Sequence, residues 1–307
     1  MLEDYRLAAK SKSLNIGIFF YRFRGTSLQA RAPFESVGTV LILLSNPMSI
    51  RFAHKPGLVA YITCGDPDLD TSRHVALAAI RAGADVIELG VPFSDPVADG
   101  PVIQRASERA LKQGTDLHGV LEIARRIRHE SAAGLIVFSY LNPVLQFGIE
   151  KFCSVAAEVG VDGVLVTDLP VEEAGEYLRA MQAHKLAPVF LAAPTSTDER
   201  LRAIARHSRG FVYAISRTGI TGARQELADD GRSLVERLRA HTKSPIALGF
   251  GISTPQQFAE VGSFADAAVI GSAIVQLIEQ NPKREAAAVA EFLASLTRAA
   301  HHAETGG

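Results

Sequence analysis

The stretch ELGVPFSDPVADGP, residues 88–101, gathers Glu88, Asp95 and Asp99 among three prolines and two glycines. A loop that merely joins a strand to a helix needs no such cluster of acids. Glu88 lies inside the apolar run VIELG, where a carboxylate is costly unless it is paired or used in chemistry. Burial there raises its pKa and lets one group both give and take a proton near neutrality. The structural alternative is a buried glutamate held by neighbouring donors. Asp95 and Asp99 follow the run, and either alone also suits a turn or a helix cap. That is the better reading of Asp95. The prolines stiffen the loop and lower the entropy cost of holding it in one shape. Asp99-Gly100-Pro101 reads as the start of a helix, with proline in its first turn.

Other chemistries fit less well. Clustered acids could bind Mg²⁺ or Ca²⁺, but only Asp66 and Asp168 stand at other strand ends, and none of the nine histidines does. No metal is expected. A Schiff base needs a strand-end lysine, and none of the eight lysines (10, 12, 55, 112, 151, 185, 243 and 283) ends a strand. If a carbon–carbon bond is broken here, carboxylates have to manage it. Cys64 ends a strand without a histidine to activate it and reads as a small buried thiol. Tyr61 and Phe138 face either the core or the pocket mouth.

A second set of residues suits an anion. GFGIS (249–253) and GSAIV (271–275) are glycine turns that let the backbone approach a ligand and open helices whose N–H groups face it. Gly251, Gly271 and Ser272 are the expected phosphate donors. SRTGITGARQELADD (216–230), with Gly219 and Gly222, reads as a mobile lid.

These residues need a scaffold that brings eight strand ends to one mouth. Continuous, β-branched apolar runs recur at 58–65, 85–90, 135–140, 163–168, 188–193, 210–216, 245–250 and 267–272. Such runs suit strands buried on both faces. Helical patterns lie between them, among them 71–83, 171–185, TDERLRAIARHS, GRSLVERLRAHT, TPQQFAEVG and KREAAAVAEFLASLTRAA. Eight strand–helix units predict an α/β fold, a single (β/α)₈ TIM barrel with its site at the C-terminal strand ends. An open doubly wound sheet is the rival, but CGDPD stands where its glycine fingerprint would be.

The bulk numbers agree. The 307 residues are 47% hydrophobic and 21% charged, with net charge −1 and pI near 6.8, so there is no basic footprint for nucleic acid or an anionic membrane. Two cysteines fit a reducing cytosol, and no run reaches the ~18 apolar residues of a membrane helix. Residues 1–47 lack a persistent period and carry six basic against three acidic residues. Met48 reads as the functional start, 1–47 as an upstream extension, disordered or a misassigned start, and 48–307 as the catalytic barrel. A basic targeting arm is the rival reading, poorly served by Glu3 and Asp4.

ELGVPFSDPVADGPVIQRA resembles the signature of the tryptophan synthase α-subunit family. The likeness runs from about residue 49 to 300 through YITCGDPD, NPVLQFG, GVLVTDLPVEE, SRTGITG, GFGIST and GSAIV in family order, and leaves 1–47 uncovered. It implies a cytoplasmic lyase of tryptophan biosynthesis. The implied reaction is retro-aldol cleavage of indole-3-glycerol phosphate to indole and glyceraldehyde 3-phosphate, without metal or organic cofactor in this chain. Glu88 matches the family's catalytic glutamate and Asp99 the aspartate that holds the indole N–H. Tyr61 and Tyr213 match pocket-lining positions, and Gly222, Gly251, Gly271 and Ser272 the phosphate-binding ones. Thr221 matches the lid threonine that meets the acidic loop.

The resemblance also implies an α₂β₂ heterotetramer in which indole passes to a pyridoxal-phosphate-dependent β subunit. Asp95, Pro96, Asn142 and Pro143 fall on segments that contact that partner. A free-standing indole-3-glycerol-phosphate lyase is the alternative, as is a silent α chain acting only as a partner, against which intact Glu88 and Asp99 argue. Tyr61, where phenylalanine is also found, and Cys64 depart from the family pattern without touching the proton chemistry.

Overall fold

The computed structural model describes residues 50–216, 224–249 and 251–305. The expectations for residues 1–47, Met48, Thr221 and Gly222 lie outside them. Among the described residues nine parallel strands form one sheet: β1 (Gly57–Thr63), β2 (Val86–Gly90), β3 (Gly134–Ser139), β4 (Gly163–Val166), β5 (Ala187–Val189), β6 (Leu191–Ala192), β7 (Val212–Ile215), β8 (Ile246–Gly249) and β9 (Ala267–Ile270). Their order is β5-β4-β3-β2-β1-β9-β8-β7-β6. The two end strands are separated in the chain only by Phe190, whose carbonyl accepts the Tyr213 N–H at 3.2 Å. They are one stave with a break, so the sheet closes on itself and the eight-strand expectation holds.

The pleat sorts every strand into an inner and an outer face. Val59, Val86, Ile136, Leu165, Val189 and Ala247 turn inward and fill the barrel. Leu58, Ile62, Ile87, Leu89, Leu135 and Val137 turn outward under the helices. Both faces are thus apolar, which is why the runs are continuous rather than alternating. Two residues beyond the inner layer on the same face come Tyr61, Glu88, Phe138 and Tyr213, the floor of the barrel mouth.

At the opposite end, an aspartate just ahead of a strand clamps its neighbour. Asp85 accepts the Leu58 N–H at 2.8 Å, Asp162 that of Leu135 at 2.8 Å, and Asp266 that of Ile246 at 2.7 Å. The device recurs at three pairs, β1–β2, β3–β4 and β8–β9, and saturates an amide within the first two residues of a buried strand.

Three expectations shift. Tyr140, read as the end of the third strand, is instead the N-cap of a short helix, Leu141–Phe147, that the sequence pattern did not reveal. The helix expected from residue 231 begins at Arg224 and runs to Arg239. The 224–230 part of the expected lid is therefore its first two turns. Helices Leu117–Glu130 and Ile149–Glu158 add to the outer ring.

Candidate active site

Glu88 sits at the centre of β2, registered against Tyr61 of β1 and Ile136 of β3. It is fully buried, and neither carboxylate oxygen has a hydrogen-bond partner among the described residues. Burial lifts its pKa to about 8, because desolvation penalises the charged form. A structural glutamate would be held by donors. This one is free to meet a ligand.

Asp99 stands across the mouth, ahead of the helix Pro101–Lys112, whose N-cap is Gly100 and whose first residue is proline. Partial burial raises its carboxyl to about 6, while a hydrogen bond from the Tyr140 hydroxyl works the other way. That hydroxyl also accepts the Ala98 N–H at 2.9 Å, and the Tyr140 ring packs on Phe93 at 5.1 Å. Tyr140 therefore fastens the acidic loop at both ends. Sequence reasoning missed it, since a tyrosine ending an apolar strand carries no local sign of a polar partner 41 residues earlier.

Tyr61 is 5% exposed, packs edge-on against Phe138 at 5.1 Å, and has its hydroxyl 3.4 Å from Thr63 Oγ1. Gly90 makes room for that hydroxyl: a Cβ at Gly90 would overlap it. Burial pushes the Tyr61 and Tyr213 hydroxyls well above their usual range, with the charges of Asp99 and Glu88 adding to the effect. Both tyrosines thus stay neutral donors in one pocket with the two acids. Cys64 is fully buried and its thiol is pushed up by desolvation, so it is no nucleophile.

The expected anion side falls at the ends of β8 and β9, which are neighbours in the sheet. Gly251 adopts φ +78°, a backbone conformation open to glycine. Gly271 caps the helix Ser272–Gln280 without any side-chain cap. Its first N–H groups, beginning at the exposed Ser272, face the mouth with the positive end of the helix dipole.

A separate cleft of about 300 Å³ opens on the outer surface, lined by Phe93, Ser94, Asp95, Pro96, Val97 and Leu111 among others. Asp95 is exposed and bonded only locally, by Ser94 Oγ at 2.5 Å. Asn142 is exposed and Pro143 half-buried on the helix next to it. Val97, Leu111 and Leu145 are the large apolar side chains left exposed among the described residues, Val97 at 86%. They fall on or beside these same segments. The structure thus separates Asp95 from the two acids of the mouth.

The family model described as "Tryptophan synthase alpha chain" matches residues 49–304. A protein of that name from Solibacter usitatus is 54% identical over 245 residues, 80% of this chain and 91% of the relative. Another from Pelobacter propionicus is 47% identical over 79% of this chain and 91% of its own length. Among solved structures, tryptophan synthase subunit alpha of Legionella pneumophila superposes with TM-score 0.74 at 36% identity, covering 80% of this chain and 93% of that one. A chain of M. tuberculosis tryptophan synthase, in an aminoacrylate-bound form, superposes with TM-score 0.71 at 34% identity, covering 80% and 93%. Matched in this way along most of its length in both sequence and backbone, the chain belongs to the tryptophan synthase alpha chain family.

Proposed function

We propose that the protein cleaves indole-3-glycerol phosphate as the α subunit of tryptophan synthase, with Glu88 as the proton shuttle and Asp99 as the anchor of the indole nitrogen. The observation that carries this reading is the buried, unpartnered Glu88 carboxyl, protonated near neutrality, at the floor of the mouth. Protonated Glu88 gives its proton to indole C3, and the positive charge that develops on the ring is met by ionised Asp99 at the N–H. The Glu88 carboxylate then takes the proton of the side-chain hydroxyl. The C–C bond breaks, its electron pair restores the indole ring, and the hydroxyl carbon becomes the aldehyde of glyceraldehyde 3-phosphate. One carboxyl thus ends as it began.

The phosphate suits Gly222, Gly251, Gly271 and the N–H groups from Ser272, where the helix dipole favours an anion. Tyr61 and Tyr213 wall the indole, and the role read for Thr221 from the family likeness is to meet the acidic loop once substrate is bound. Asp95, Pro96, Asn142 and Pro143 face the β subunit of the heterotetramer, whose pyridoxal phosphate uses the released indole. The α chain itself needs no cofactor for this chemistry, and its place is the cytoplasm.

The test is indole release from indole-3-glycerol phosphate, with and without the β chain, as a function of pH. Activity should rise as Asp99 ionises near pH 6 and fall as Glu88 loses its proton near pH 8. Asp99→Asn should lower kcat about 100-fold or more, since charge stabilisation aimed at the transition state is lost. Wild-type activity in Asp99→Asn would overturn its role. Tyr140→Phe removes the hydrogen bond that holds the Asp99 pKa down, so the acidic limb of its profile should move above that of the wild type. An unmoved limb would show that Asp99 does not set it.

A further inference from the structure

The two ends of the substrate, an indole and a phosphate, are held by different helices: Asp99 precedes Pro101–Lys112, and Ser272 opens Ser272–Gln280. Both lie across the C-terminal end of β1 and pack together through Ala106 and Val275 over Tyr61. Apolar contacts of this kind allow sliding. Charged groups fix the register.

Glu279, in the last turn of the phosphate-side helix, accepts Arg105 Nε at 3.0 Å and Nη2 at 2.9 Å, and Arg109 Nη1 at 2.7 Å. Arg105 and Arg109 lie four residues apart on one face of the indole-side helix. Arg109 also forks onto Asp66, in the loop after β1, with Nε and Nη2 each at 2.8 Å. Asp66 is 3% exposed. Arg105 Nη1 reaches back to the Pro101 carbonyl at 3.3 Å, and Gln104 Nε2 to the Asp99 carbonyl at 2.8 Å.

Most surface ion pairs contribute little, but bidentate geometry within a network is the exception. The Glu279 carboxyl is held at about 2, chiefly by its hydrogen bond from Arg105. We infer that Arg105, Arg109, Glu279 and Asp66 form a positioning brace, which fixes the span between the indole-anchoring acid and the phosphate-binding helix end. None of the four touches the reacting atoms. Their effect is to make the two binding ends one rigid receptor, so that phosphate binding delivers indole to Glu88 rather than being lost to relative motion. The inference rests on the substrate placement proposed above.

A two-ended ligand distinguishes the brace from mere stability. The probes are 3-(indol-3-yl)propyl phosphate, which joins both ends through a saturated chain, and separately indole and glycerol 3-phosphate. In the α–β complex, Glu279→Ala should weaken the joined ligand about tenfold and leave each fragment within about twofold, because only the joined ligand senses the span. Indole release should show kcat/KM falling by a similar factor. Arg109→Ala strands the buried Asp66, so Arg105→Ala, which leaves the Arg109–Asp66 pair intact, is the second variant and should show a smaller loss of the same kind. Equal losses for fragments and joined ligand, or no loss at all, would overturn the brace. Failure of Asp99→Asn to impair indole release would instead undo the substrate placement, leaving the two results separable.

Discussion

Replacing Glu88 with glutamine is expected to abolish indole release and at the same time to stabilise the protein in alkaline solution. General acid–base groups are worth about 10²–10⁴ in rate, and here one residue serves both steps, so the loss should reach the upper end. The stability effect follows from linkage. The folded pKa of about 8 lies above the ordinary 4.5. Between these values the folded protein keeps a proton that the unfolded chain has released, so stability falls as pH rises through that window. Above about pH 8 the folded protein must hold a bare carboxylate in the barrel, which costs several kcal/mol at about 1.4 kcal/mol per pKa unit. Glutamine removes the charge but keeps a buried amide, so a net gain of about 2 kcal/mol is the reasonable size. Thermal midpoints of the two proteins should nearly coincide at pH 5 and separate by several degrees at pH 9. Parallel curves would show that Glu88 is not buried and unpartnered in solution. The site is thus built at the expense of stability, as active sites commonly are.

The second large effect lies at the other end of the barrel. Arg128 and Asp162 are 6% and 5% exposed and meet at 2.6 Å. Asp162 also accepts the Leu135 N–H at 2.8 Å, and Arg128 donates to the Gly160 carbonyl at 2.9 Å. Asp162→Ala would leave a guanidinium charge buried and the Leu135 amide of β3 without its acceptor. Breaking one half of a buried pair costs about 3–5 kcal/mol. Urea unfolding should show that loss, with kcat of the folded fraction unchanged because the catalytic mouth is at the opposite end. Asp266→Ala should cost less, since Asp266 is 29% exposed and its partner Arg239, 34% exposed, can reach water when left unpaired. Equal costs at the two positions would mean that burial does not set the penalty.

Much of this architecture was legible in the chain. Strands buried on both faces must read as unbroken apolar runs, and eight such runs with helices between them leave few folds open. Glu88 was legible because a carboxylate in an apolar run needs a reason, and Asp99 because proline and glycine fix a helix start beside it. Strand limits were blurred by a residue or two, since ladder bonding and not composition ends a strand. The fifth stave is the instructive case. PVFLAA reads as one strand, yet the ladder breaks at Phe190 into β5 and β6, where the barrel closes. The helix at Leu141–Phe147 was hidden because proline and a short span give no helical period.

What the sequence determined by itself was the set of local facts: which residues alternate inward, where helices start, and which acid is placed where water is scarce. The period of the backbone decides these within a few residues. Only the tertiary structure decided that Tyr140 holds Asp99 and that Asp95 turns outward. Only it joined Arg105 to Glu279 across 174 residues of chain. Such partners come together because barrel closure brings the first and last strands side by side, and nothing in the local pattern of either segment records the other.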